Sequence, residues 1–441
     1  MQILVFVDSE TPRVKYIVGH ILENMLGFDV VFTQRIDEIN TFRGPKICYS
    51  NNKINDSIQI TPNSLLSNIG IIKQSFAFFK WKSLPVFFQT NLDSDIPFDI
   101  FSASFYLITR YEEYITKNYD AHGRFCVEES LALQNGFLHI PLVDLWVREL
   151  GRIIVEKFPG TPIKKSEFNF LPTIDIDNAY AFKYKGFLRS SLGLANSLLN
   201  LRVKEFGRRI AVHLNLFSDP YDTYNELFRI LDQSNESVWF ILGGNYGKFD
   251  KNISLDKEVM RNLVKRIDNK FHLGIHPSYS SNSQPELISK EKDTLEKLLG
   301  KKIVQSRQHY LRLTLPTTYQ TLSNIGITHD YSMGYSNAIG FRASTCTPFN
   351  FYNLIDENEL PLSIVPFQVM DRSLLQGLEA NPSEAVRLTL EMAKRVKDVG
   401  GTFVTVWHNE SLSGINEWKG WEDVLGRIVL EVRSLKSEVG R

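Results

Sequence analysis

The chain has 441 residues, with 50 Lys+Arg against 50 Asp+Glu, 43% hydrophobic and 23% charged residues. This is an ordinary globular composition, rich enough in apolar residues for a sizeable core, and its length favours two or three domains. The balanced charge argues against a nucleic-acid protein, and three isolated cysteines (Cys48, Cys126 and Cys346) exclude a disulfide framework or a cysteine metal site.

The N-terminus, Met-Gln-Ile-Leu-Val-Phe-Val-Asp, is a short strand pattern without the features of a secretory signal. No window approaches roughly 18 uninterrupted apolar residues, so a cytoplasmic protein without a transmembrane segment is expected. Strands are predicted at 2–7 and 28–33 around a helix at 12–26, with further strands over 45–60 and at 84–88. Helical spacing at 98–117 and 141–157 completes a small α/β domain. Two prolines, a glycine and a lysine pair interrupt the pattern at 157–168, dividing the chain into 1–163 and 164–441.

Beyond that boundary, strands are predicted at 168–174, 237–242, 271–275, 302–305, 326–329, 362–367 and 402–407. Helical patterns lie between them at 221–233, 255–268, 284–299, 317–325 and 383–398. This alternation predicts a parallel α/β fold, either a barrel or an open sheet. Its reactive residues share one register: Asp175 and Asp177, His276, Arg307 and His309, Asp330 and His408 each follow a predicted strand. Side chains just past parallel strand ends converge on one face, where sites are built.

In Thr173-Ile-Asp-Ile-Asp177 the two carboxylates point to the same side of a strand. They repel unless a cation or a shared proton intervenes, so one suits a metal and the other a proton from water. His272 and His276 have helical i,i+4 spacing, but Gly274 and Pro277 favour a strand. On a strand the two rings would stand ~13 Å apart at ~3.3 Å per residue, which leaves His276 as the site residue. Arg307 suits a bidentate hold on a catalytic carboxylate, and His309 suits a metal ligand, an acid or a structural histidine. His408 is the natural general acid, while Trp407 alternates toward the core. Arg110, Glu112, Glu113 and Arg124 read as solvated or interdomain pairs, and the basic segment 202–209 as a solvated helix face, with contact to anionic lipid or a sugar-linked phosphate as the alternative.

Together these residues resemble the polysaccharide deacetylase family, the NodB-homology or carbohydrate esterase family 4 enzymes, over 168–441. Thr173-Ile-Asp175-Ile-Asp177 is similar to the family's first motif in a spaced form, and Gly274-Ile-His276 to its second. Arg307-Gln-His-Tyr310, Asp330-Tyr-Ser-Met-Gly-Tyr335 and Trp407-His408-Asn409 are similar to the remaining three. The resemblance implies a distorted (β/α) barrel of about seven strands behind the smaller α/β domain. It implies Asp175 as base, Asp177 and His276 as ligands of a divalent metal such as zinc, and Arg307 and His408 beside them. Tyr310, Asp330 and Arg342 would serve substrate and oxyanion.

Where the family carries a second His, this chain has Ser280. The third ligand is open between His309, a water on Ser280, and loss of the metal. The stretch 98–150, with Arg110-Tyr-Glu-Glu113, His122-Gly-Arg-Phe125 and Pro141-Leu-Val-Asp144, resembles an uncharacterised domain that precedes deacetylase-like domains in bacterial proteins. The implied function is removal of acetyl groups from an N- or O-acetylated sugar or glycan precursor, lipid- or nucleotide-linked if the protein is cytoplasmic. The alternatives are a catalytically silent carbohydrate-binding or scaffolding protein and a hydrolase of another C–N bond.

Overall fold

A computed structural model of the chain describes residues 1–90, 94–232 and 236–437. The first sheet is parallel, in the order β2-β1-β3-β4, from β1 (Gln2–Val7), β2 (Asp29–Thr33), β3 (Lys46–Tyr49) and β4 (Ile58–Ile60). Thr11 caps the helix Pro12–Gly19, accepting from the Val14 N–H with proline at the first turn, and a π-type turn carries the chain on to Met25. A small hairpin, β5 (Phe79–Trp81) and β6 (Leu84–Val86), follows. The expected helix over 98–117 ends at Ile108, because Arg110 takes a left-handed φ of 55° and starts a short 3-10 turn, Tyr111–Tyr114.

The second sheet has nine strands in the order β12-β13-β11-β10-β9-β8-β7-β15-β14. They are β7 (Asn169–Ile176), β8 (Val238–Leu242), β9 (His272–His276), β10 (Gln305–Ser306), β11 (His329–Asp330), β12 (Phe349–Asn353), β13 (Asn358–Ile364), β14 (Val369–Met370) and β15 (Thr402–His408). Only the β12–β13 pair is antiparallel. The expected barrel of about seven strands is thus a large, mostly parallel sheet in which no closing pair joins β12 to β14. One chain segment nevertheless spans from side to side: β13 pairs with β11, the Phe367 N–H donates to the Met333 carbonyl, and β14 pairs with β15. β12, β14 and the helix Phe187–Leu199 lie outside the predicted elements, and the helix Val203–His213 covers the segment expected as a solvated helix face. The predicted helix at 221–233 is Tyr224–Leu231, and residue 233 lies outside the described residues.

Alternation along the strands decides what faces inward. Phe170, Ile174 and Ile176 of β7, Trp239 and Ile241 of β8, and Phe403 and Trp407 of β15 pack outward into the main core. Leu171, Val238, Phe240, Val404 and Val406 form a separate inner cluster with Phe367 and Met370. Further along the same inward register come Asp175 on β7, four residues past Leu171, and His408 on β15, two past Val406. Gly274 holds the equivalent place on β9. A Cβ there would fall 2.6 Å from the Phe240 ring, so glycine lets that ring fill the interior.

The two sheets are joined by buried polar contacts. Glu113 accepts from Arg110 (2.7 Å) and, bidentately, from Arg342 (2.9 and 2.7 Å). Asp144 accepts from the Cys346 N–H and the Thr347 hydroxyl. Of the solvated or interdomain pairs expected for Arg110, Glu112 and Glu113, the second holds: all three are buried, and Glu113 pairs with Arg342 of the second region. No helix among the described residues is long and apolar enough to cross a membrane.

Candidate active site

The inward register ends in a cavity of about 490 Å3 whose floor holds Asp175, Asp177, His276, His309 and His408. A larger cavity, about 1160 Å3, lies between the helix Leu142–Lys157 and residues 163–168. It brings together no histidines, so volume alone does not locate the chemistry.

Strand pairing delivers His309. The N–H groups of Arg307 and His309 donate to the carbonyls of Ile275 and Pro277 (3.1 and 3.2 Å), continuing β10 along β9 past its assigned end. Arg307 and His309, two apart, then face inward beside His276. A left-handed turn follows at once, with φ 59° at Tyr310.

His276 Nδ1 lies 2.5 Å from the Arg307 carbonyl, which can only accept, so the ring hydrogen is on Nδ1 and Nε2 carries a lone pair. That nitrogen faces Asp177 Oδ1 at 3.1 Å, an oxygen with no hydrogen-bond donor of its own. His309 is built the same way. Its Nδ1 pairs with Asp250 Oδ1 (2.7 Å) and its Nε2 stands 3.3 Å from Asp177 Oδ2. The ligand atoms of Asp177, His276 and His309 all lie within 4.8 Å of one another. Lone pairs meeting in this way, each ring anchored from behind by an oxygen, fit a divalent cation.

Without a cation, protons must take its place. Burial opposes a charge on His309, but Asp177 and Asp250 outweigh it and raise its pKa to about 9. Burial also opposes the charge on Asp177, yet the surrounding imidazoles hold its carboxyl well below the usual range. Ser280 is exposed on the turn Tyr279–Asn282 and does not line the cavity.

Two further pairs flank the triad. Arg307 is completely buried. Its Nη1 donates to Asp175 Oδ1 (2.7 Å), its Nε donates to the Tyr331 carbonyl (2.9 Å), and its guanidinium lies 4.5 Å over Phe240. His408 Nδ1 donates to Asp371 Oδ1 (2.8 Å), and the His408 N–H donates to the other oxygen of the same carboxylate (2.8 Å). Its Nε2 faces the site, 3.5 Å from Asp177. Burial disfavours the His408 charge, but Asp371 outweighs it and raises the pKa to about 9.

Two expected rim residues do not reach the cavity. Asp330 is buried, its oxygens taken by the hydroxyls of Ser306 and Ser332 and the Ser332 N–H. Arg342 is spent on Glu113 and the Gly334 carbonyl (3.0 Å). Tyr310 does line the cavity, as do two residues of the N-terminal region, His122 and Arg124. The His122 ring packs against Phe249, Tyr279 and Tyr310, and Arg124 donates to the Tyr310 carbonyl (3.1 Å). Arg124, expected among solvated or interdomain pairs, thus reaches the cavity itself. Asp250 and Asp371 were missed. Asp250 lies in an irregular loop, and Asp371 follows a strand of only two residues.

Residues 3–159 match the model of a family of unknown function, DUF7033. No curated protein matches the chain. Similar solved structures include a provisionally assigned polysaccharide deacetylase from Mycobacterium smegmatis, 14% identical with a TM-score of 0.39, over 63% of this chain and 91% of that one. A polysaccharide deacetylase from Bacillus cereus is 10% identical with a TM-score of 0.30, over 62% and 89%. The chitin deacetylase of the fungal pathogen Colletotrichum lindemuthianum is 10% identical with a TM-score of 0.31, over 62% and 83%. At such identities and TM-scores these likenesses carry no argument about the chemistry.

Proposed function

We propose that the chain is a metal-dependent hydrolase that removes acetyl groups from an N- or O-acetylated sugar or glycan precursor. The observation that carries this reading is a three-residue cation site flanked by a carboxylate held by arginine and an imidazole held by aspartate. The acetylated sugar comes from the motif resemblance, and the aromatic wall of Phe249 and Tyr310 suits a sugar face. His309 beside Asp177 and His276, with Ser280 exposed away from the cavity, favours this reading over a catalytically silent protein.

Asp177, His276 and His309 would hold a divalent cation, which would supply Lewis-acid chemistry to the acetyl carbonyl and to water. Asp175, oriented by Arg307, takes the proton of the attacking water as its oxygen bonds to the acetyl carbon. The left-handed turn at Tyr310 presents backbone for the oxyanion. His408, aimed by Asp371, gives a proton to the departing nitrogen or oxygen as its bond to the acetyl carbon breaks. Acetate and the free amine or hydroxyl leave. Acetate release from a panel of N- and O-acetylated saccharides tests the reading. Release from at least one is expected, and none from any metal-loaded sample contradicts it.

The N-terminal region contributes to this site. His122 forms a wall, so His122→Ala is expected to raise KM by about three- to tenfold with kcat nearly unchanged. Arg124 is a positioning residue that fixes the Tyr310 turn, so Arg124→Ala is expected to lower kcat by about tenfold. Steady-state kinetics at constant metal content checks both. Unchanged constants in both variants would remove the N-terminal region from the site.

A further inference from the structure

Between the end of β7 and the helix Tyr224–Leu231 the chain makes an excursion, a hairpin of the helices Phe187–Leu199 and Val203–His213. Its base is tied down. The Asp219 carboxylate accepts the N–H groups of Ala181, Phe182 and Lys183 at 2.7 to 2.9 Å.

The hairpin is built inside out. Where the helices meet, the groups are small or polar. Arg209 packs on Gly193 and pairs with Glu205 (2.7 Å), and the Ser197 hydroxyl lies 3.1 Å from the same carboxylate. The buried positions of the two helices are Ser197 and Val212. The apolar residues face out. Leu188, Leu192, Ala195 and Leu199 form an exposed stripe at i, i+4, i+7 and i+11. Val203, Gly207 and Ile210 on the second helix, with Leu214 at its C-terminal cap, repeat that spacing. Phe187 is 90% exposed, Leu199 82%, and Leu201 in the turn 84%. Single exposed leucines need no explanation, whereas a contiguous apolar surface at helical spacing marks an interaction face.

Charge selects what covers it. From residue 183 to 217, seven Lys and Arg stand against one acid, Glu205. Two copies of so cationic a hairpin repel, which disfavours self-association. Apolar side chains framed by lysine and arginine fit a negatively charged lipid surface, where the helices lie in the plane of the interface.

We propose that this hairpin docks the protein on an anionic phospholipid bilayer. Its position aligns the surface with the site. Arg189 lies 3.6 Å over the Tyr246 ring and donates to the Lys251 carbonyl (3.2 Å), and Phe249 and Lys251 wall the cavity. The docked face therefore adjoins the cavity mouth.

Vesicle co-sedimentation of the full chain tests this. It needs neither metal nor turnover, so it stands or falls apart from the proposed hydrolysis. Phosphatidylcholine vesicles containing phosphatidylglycerol are expected to bind the protein, and pure phosphatidylcholine vesicles to bind it about tenfold less or weaker. Leu192→Glu with Leu199→Glu changes only exposed positions and is expected to cut binding by about tenfold or more with an unchanged melting temperature. Arg202→Glu with Lys204→Glu and Arg208→Glu is expected to abolish the preference for anionic lipid. Absence of binding to anionic vesicles, or equal binding by all variants, overturns the proposal. So does a dimer in sedimentation velocity that the leucine variant dissolves, because a second copy then covers the face.

Discussion

His309→Ala is expected to lower the affinity for a divalent cation by about 100-fold or more, and acetate release with it, whereas Ser280→Ala is expected to change neither. A catalytic cation held by two protein ligands is poorly retained, and Asp177 with His276 alone would be such a site. The contrast between the two substitutions follows from where the chain puts them. His309 directs Nε2 at Asp177 from 3.3 Å with Asp250 fixing the far side of its ring, while Ser280 is exposed on a neighbouring turn. Calorimetric zinc titration of the three proteins separates the cases. Retained zinc affinity in His309→Ala would place the third ligand elsewhere.

The second large effect is expected at Asp175. Asp175→Asn preserves shape but cannot take a proton, so kcat is expected to fall by about 10^2- to 10^4-fold. It also removes the charge paired with a completely buried guanidinium, a change that costs about 3–5 kcal/mol when one partner of such a pair is lost. Combining it with Arg307→Met removes the stranded charge. Phe240, Tyr331 and Phe367 already surround that side chain with rings, so the double variant is expected to recover most of the lost stability and none of the activity. Urea unfolding beside acetate release reads both quantities. Recovery of activity with stability would reduce Asp175 to a structural role.

Part of this site was legible in the sequence because period-two alternation puts residues past strand ends on one face. That logic put Asp175 and Asp177, His276, Arg307 and His309, and His408 on one face, and the fold gathers them there. It could not choose among the roles open to His309. The choice depends on how far β10 runs beside β9, which is set by the hydrogen bonds of Arg307 and His309 to Ile275 and Pro277. The same logic misplaced Asp330, which follows a strand as the others do but is claimed by two serines. Arg342 was misplaced because its partner, Glu113, lies 229 residues away.

Asp250 and Asp371 had no regular element to announce them, although they anchor the imidazoles of His309 and His408. His122 and Arg124 reach the cavity from a part of the chain with no local sign of chemistry. The hairpin at 187–213 carries helical periodicity, but its apolar stripe faces out. Periodicity tells that a stripe exists and not what covers it.

The most direct test of the central claim is to strip the protein with a chelator, titrate zinc back, and follow acetate release from an acetylated saccharide. The account predicts that activity is lost on stripping, returns in proportion to added zinc and saturates at about one equivalent, the capacity of a single three-ligand site. Full activity in the stripped protein would contradict it.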